Sequence, residues 1–146
     1  MAIPATPAGA GYSGTPLARK LDIAAGARVA LQDAPAELLQ WLAPLPDGVL
    51  FDTTPALHTD VLLLFCTQRS VLQPALVAQR QALRADAALW VCWPKKAAKV
   101  AADITEDGVR KLALPLGWVD IKVCAVSAVW SGLKLVLRKA QRQPPP

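Results

Sequence analysis

One histidine in 146 residues, His58, and three widely spaced cysteines, Cys66, Cys92 and Cys124, are too few and too scattered for a recognisable metal centre. An odd set of cysteines in apolar surroundings also argues against a disulfide framework and for reduced, buried thiols. No apolar run approaches the roughly 18 residues that span a bilayer; the longest, Val61 to Cys66, has the length of a strand. Charged residues make up only 18% of the chain, but a hydrophobic fraction of 53% excludes a disordered polyelectrolyte. The opening "MAIPATPAGAGYSG" has neither a basic leader nor an apolar core, so it does not read as a secretory signal. A cytoplasmic protein of bacterial type, with no membrane partner and no metal, is the simplest expectation.

Glycine is scarce where it would matter most. A dinucleotide or methyl-donor site needs a glycine-rich turn after the first strand, because only glycine lets the backbone approach the ligand closely. The matching stretch here, "LQDAPAELL", contains none. No cofactor is therefore expected.

What the chain does have is a regular alternation of element signals. Thr15 as cap and Pro16 at the first helical position open a short helix in "TPLARKLDI". "RVALQ" follows as a strand, and "PAELLQWLAPL" has leucines at helical spacing until Pro44 and Pro46 stop it. "GVLFD" and "DVLLLFC" are strands, the second apolar on both faces as a central parallel strand should be. Ser70 and Gln73 have capping-box spacing before a helix to about Leu83, whose regular part can begin as late as Pro74. "ALWVCW" is the next strand, and Asp103 with Glu106 offers a second capping box before a helix that Gly117 terminates. Alternating apolar and polar residues on both sides of Trp130–Gly132 predict a hairpin turning at "WSG".

This order predicts a single three-layer α/β domain: a mostly parallel sheet of about six strands ending in an antiparallel hairpin, with helices on both faces. Residues 11–139 form the body, between an N-terminal tail, 1–10, and a C-terminal tail, 140–146. Such a sheet looks like the Rossmann-like class best known from S-adenosylmethionine-dependent methyltransferases, an analogy of fold that carries no function by itself.

In open α/β sheets ligands bind beyond the carboxyl ends of the strands. The residues expected there are Asp33 and Ala34, Asp52 to Thr54, Cys66 to Arg69, and Pro94 to Lys96, joined by the Trp130–Gly132 turn with Trp130 and Ser131. Lys95 and Lys96 leave the sheet at that edge and suit an anionic group, with Arg69 and the hydroxyls of Tyr12, Ser13 and Thr15 as further anion-binding candidates. Asp33 and Asp52 are the weaker cofactor-binding candidates, Asp52 standing where a ribose-binding acid would. Cys66 meets a helix start, where a thiol can be activated, but its context favours a buried, inert group. No residue is assigned a catalytic role.

Charge is uneven: residues 1–73 hold 4 Lys/Arg against 6 Asp/Glu, and residues 74–146 hold 12 against 5. Lys134, Arg138, Lys139 and Arg142 form a basic stripe that suits weak, non-specific nucleic-acid binding at low salt.

The phrases "GYSGTPLARKL", "ALWVCWPKKA", "DITEDGVRKLALPLGWVD", "KVCAV" and "WSGLKLVLR" resemble a family of small bacterial proteins of uncharacterised function, over about Gly11 to Arg138. The resemblance implies a cytosolic bacterial protein and no established activity. The expectation is thus a binding module for a small anionic or nucleotide-like ligand at the carboxyl edge, without classical catalysis. A divergent methyltransferase and a protein-interaction or nucleic-acid-associated protein are the alternatives.

Overall fold

The computed structural model describes residues 15–138. Six strands make one mixed sheet: β1 (Arg28–Gln32), β2 (Leu50–Asp52), β3 (Val61–Phe65), β4 (Ala88–Pro94), β5 (Trp118–Ala125) and β6 (Trp130–Leu137), in the order β2-β1-β3-β4-β6-β5. β2, β1, β3 and β4 run parallel, and β6 inserts antiparallel between β4 and β5. The expected α/β architecture with a terminal hairpin is what the chain adopts.

Period-two alternation divides the core between the two faces of the sheet. Leu62 and Leu64 of β3 with Leu89, Val91 and Trp93 of β4 pack under α3 (Arg69–Ala82) and α4 (Glu106–Ala113), which contribute Leu72, Leu76 and Val109. Val61, Leu63 and Phe65 with Trp90 and Cys92 face the other way, against α1 (Leu17–Lys20) and α2 (Leu38–Leu42). Every residue of β3 is buried, as its unbroken apolar run requires. Trp90 is fully enclosed, and its indole N–H donates to the Leu21 carbonyl at 3.1 Å, so its one polar atom is satisfied.

Four local expectations are corrected. Thr15 is not a cap: Pro16 occupies the N-cap position of α1, and no side chain caps that helix. The Ser70–Gln73 box does not form either, because α3 already begins at Arg69 and runs through Pro74. Its first N–H, that of Arg69, donates to the Asp103 carboxylate at 2.7 Å across 34 residues of sequence. Pro74 is tolerated because Ser70, whose carbonyl would have accepted its missing N–H, lies with it on an exposed face of the helix. With Asp103 so engaged, α4 is capped by Thr105, whose hydroxyl accepts from the Gly108 N–H at 3.0 Å.

The hairpin turn is also displaced, to residues 126–129, and "WSG" lies inside β6. Ser127 makes the turn by accepting from the N–H groups of Val129 and Trp130, both at 3.1 Å. Gly132 is needed for another reason. A Cβ there would come within 3.1 Å of the Trp90 ring and 3.2 Å of Val126.

Candidate functional site

The chain leaves β1 for β2 on one side and returns to β3 on the other, so the carboxyl ends of β1 and β3 diverge and open a crevice at the sheet's switch point. An open cleft of about 200 Å³ lies there, lined by Asp33, Phe65, Cys66, Thr67, Gln68, Val71 and Trp130. Asp33 turns the chain out of β1 with φ of 56°, a left-handed conformation that glycine adopts most easily and aspartate tolerates. The backbone bend demanded of the missing glycine is therefore present, made by a residue that adds a carboxylate.

Phe65 ends β3 and Trp130 begins β6; their rings meet edge to face, with centroids 5.1 Å apart and planes at 81°. β6 starts opposite the end of β4, through the pairing of Pro94 with Trp130, and this brings the indole to the carboxyl edge. Thr67 and Gln68 carry the chain from β3 into α3. The N–H of Asp103 donates to the Thr67 carbonyl at 3.0 Å while its carboxylate accepts from Arg69. The positive end of α3 thus already holds a carboxylate.

Burial pushes the Cys66 thiol up, and the charges of Asp33 and Asp103 push it the same way. Its Sγ donates to the Gln68 carbonyl at 3.3 Å. Cys66 is a wall of the cleft, in surroundings that disfavour its thiolate. Cys92 is enclosed completely, and burial raises Cys124 as well.

Of the site residues expected from sequence, Asp33 and Trp130 line the cleft. Ser131 follows Trp130 in β6, half-buried and paired with Trp93 and Ala125. Arg69 is exposed at the start of α3 and stands outside the lining. Lys95 is half-buried, with its N–H given to the Val129 carbonyl at 2.7 Å; Lys96 is exposed at the start of a 3₁₀ turn, Lys96–Ala98. Neither lysine lines the cleft, and neither forms an ion pair among the described residues. Thr15 is exposed ahead of α1, whereas Tyr12 and Ser13 fall outside the described residues.

Asp52 is committed elsewhere. Arg28 reaches it at 3.0 Å and His58 at 3.3 Å, and the Arg28 bond holds its carboxyl below the usual range. Lys134 of the basic stripe is likewise engaged, with Asp22 at 2.7 Å. Among the described residues no group of three or more His, Cys, Asp or Glu could hold a metal, and no helix is long and apolar enough to cross a membrane.

Thr67 and Gln68 fall in the expected segment Cys66 to Arg69, and Phe65 and Val71 are the lining residues that the sequence did not single out. The segment Cys66–Arg69 was legible as a strand end, but Phe65 and Val71 belong to runs that read as core.

No family model and no curated protein matches the chain. The resemblance to an uncharacterised bacterial family accordingly rests on its quoted phrases alone. Solved structures do match. A candidate type 11 methyltransferase from Sulfolobus solfataricus aligns over 84% of this chain and 90% of its own, with a TM-score of 0.60 at 12% identity. A possible exported protein of Bordetella parapertussis gives 0.55 at 13% identity, over 82% of this chain and 65% of its own. An N,N-8-amino-8-demethyl-D-riboflavin dimethyltransferase from Streptomyces davawensis gives 0.52 at 15% identity, over 77% of this chain and half of its own. At such identities the likeness is one of fold: a methyltransferase-like, Rossmann-like sheet.

Proposed function

We propose that the protein is a small-ligand-binding domain whose switch-point cleft takes a flat, nucleoside-like group, held against Trp130 and Phe65 with Asp33 addressing its hydroxyls or a positive charge. The observation that carries this reading is the convergence of an aromatic pair, a left-handed aspartate and the start of α3 on one opening. The chemistry of the lining favours the nucleoside-like over the anionic half of the sequence-based expectation. Among the described residues it contains a carboxylate and no cation, and the α3 terminus that would attract a phosphate already holds Asp103. About 200 Å³ is also less than the roughly 300–1,000 Å³ of common ligand pockets, which suits one nucleoside-sized group better than a dinucleotide.

Calorimetric titration with adenosine, S-adenosylmethionine, S-adenosylhomocysteine and ATP tests the reading. Saturable binding of a nucleoside that Trp130→Ala weakens about tenfold is the expected result, a loss of one base-aromatic contact. Binding equally strong in Trp130→Ala, or no binding of any of the four at millimolar concentration, overturns it.

A second reading, a divergent S-adenosylmethionine-dependent methyltransferase, draws its support from the strand order and from the bend at Asp33. It requires S-adenosylmethionine to bind more tightly than adenosine and to depend on Asp33, since a carboxylate beside aromatic rings favours a cationic donor. Equal affinities for the two would remove it and leave the binding module.

A further inference from the structure

At the opposite, amino edge of the sheet lies a larger groove, of about 480 Å³, between the C-terminal half of α3 and the turn that leads into β5. Val77, Arg80 and Gln81 form one wall; Pro115, Leu116, Gly117 and Arg138 form the other. Among the described residues, two guanidinium groups and no carboxylate line it. Both are fixed by the same turn: Arg80 Nε donates to the Leu116 carbonyl at 2.6 Å, and Arg138 Nη2 to the Leu114 carbonyl at 2.9 Å. The Arg138 backbone N–H also donates to the Gly117 carbonyl at 2.9 Å, so the residue is held twice.

Fixed through Nη2, the Arg138 guanidinium keeps its planar fork oriented, and a fork held in place by the protein loses less freedom when it takes an oxyanion. The remaining N–H groups of Arg138 have no partner among the described residues. In sequence, Lys139 and Arg142 follow Arg138 and add positive charge to the same end of the chain.

We propose that this groove is a phosphate-binding site in which the Arg80 and Arg138 side chains flank a phosphoryl group. The shared chemistry is a phosphate oxyanion, supplied either by a small polyphosphate or by a nucleic-acid backbone. It is independent of the switch-point cleft, so the fate of one site says nothing about the other.

The test is binding of pyrophosphate by calorimetry and of a fluorescently labelled single-stranded oligonucleotide by anisotropy, each across a salt series starting at 50 mM. Two groove variants and one control are compared with the unaltered protein. Arg138→Gln removes one guanidinium. Gln81→Glu places a carboxylate at the exposed rim and leaves both arginine–carbonyl bonds intact, so it carries the test even where Arg138→Gln lowers the melting temperature. Lys139→Gln with Arg142→Gln is the control. The expected result is a roughly tenfold weakening in both groove variants and a smaller effect in the control.

Pyrophosphate bound with a 1:1 stoichiometry identifies a small-molecule site. Oligonucleotide binding whose log–log salt slope falls by about 0.7 in Arg138→Gln identifies the backbone of a single strand. Failure of both probes to bind at 50 mM salt, unchanged affinity in both groove variants, or a loss confined to the control overturns the proposal.

Discussion

Replacing Gly132 with alanine adds one carbon to a crowded point of the β4–β6 pairing. The new Cβ would sit 3.1 Å from Trp90 Cε3, 3.2 Å from Val126 Cγ2 and 3.5 Å from Cys92 Sγ, where relaxed carbon contacts need about 3.5–4.0 Å. None of these neighbours can retreat easily. Trp90 is fully buried and tied to the Leu21 carbonyl, and Val126 is buried beside the hairpin turn. Overpacking of this kind costs about 1–3 kcal/mol. Restricting the unfolded chain returns roughly 0.4–1 kcal/mol, since Gly132 does not need a left-handed backbone. The net loss is about 1–2 kcal/mol, or a melting temperature about 3–8 °C lower for a domain of this size. Urea unfolding and scanning calorimetry measure it. Val126→Ala should then cost less in the Gly132→Ala background than in the unaltered protein, because it relieves one of the contacts. A Gly132→Ala protein as stable as its parent would refute the packing argument.

Asp103→Ala should destabilise the protein by about 1 kcal/mol and speed amide exchange in the first turn of α3, not of α4, because its carboxylate caps the former; exchange altered only in α4 would contradict the assignment. Stability should fall on acidification. Asp60 is held below the usual carboxylate range by the Arg28 N–H and then by Arg84, and Asp120 by Arg110. A depressed carboxyl stabilises the fold above its unfolded pKa, near 3.9, and that contribution disappears as pH drops through the lower folded value, so the urea midpoint should be level from pH 7 to about 5 and decline below about 4. Arg84→Ala should flatten part of that decline, whereas a midpoint that rises in acid would rule out the linkage. Iodoacetamide at pH 8 should label the folded protein far more slowly than the urea-unfolded chain, since burial raises all three thiols; fast labelling of Cys66 in the native state would revive it as a nucleophile.

The strands were readable in the sequence because burial on both faces leaves an unmistakable local mark. Val61–Phe65 has no polar residue to interrupt it, and Ala88–Trp93 is bounded by a charged segment on each side. Helix starts were harder wherever the partner of the first N–H came from afar. Nothing near Arg69 in sequence announces that Asp103 will cap it, and two local capping boxes offered themselves instead. The turn was misplaced for a similar reason. Glycine ordinarily marks a turn, but here Ser127 bends the chain with its hydroxyl, and Gly132 serves packing against Trp90.

The site was legible at the level of the sheet edge and not at the level of side chains. Asp33 and Trp130 followed from the fold's switch-point rule. Lys95 and Lys96 followed from the same rule and still missed the cleft: β4 extends through Pro94, and the Lys95 N–H joins Val129, so the chain leaves along the hairpin. Phe65 could not be told from a core residue, because whether the last side chain of a strand is covered depends on what the hairpin places over it.

The position of β6 has a consequence for the order in which the chain is made. Among the described residues β5 pairs with no strand other than β6, and β6 is synthesised after it. Until residues 130–137 emerge, β4 presents an unpaired edge and β5 has nowhere to dock. A nascent chain that stops at Ala125 is therefore short of two strands of sheet, not one. It also lacks Trp130, so the last wall of the cleft and the last interior strand of the sheet arrive together.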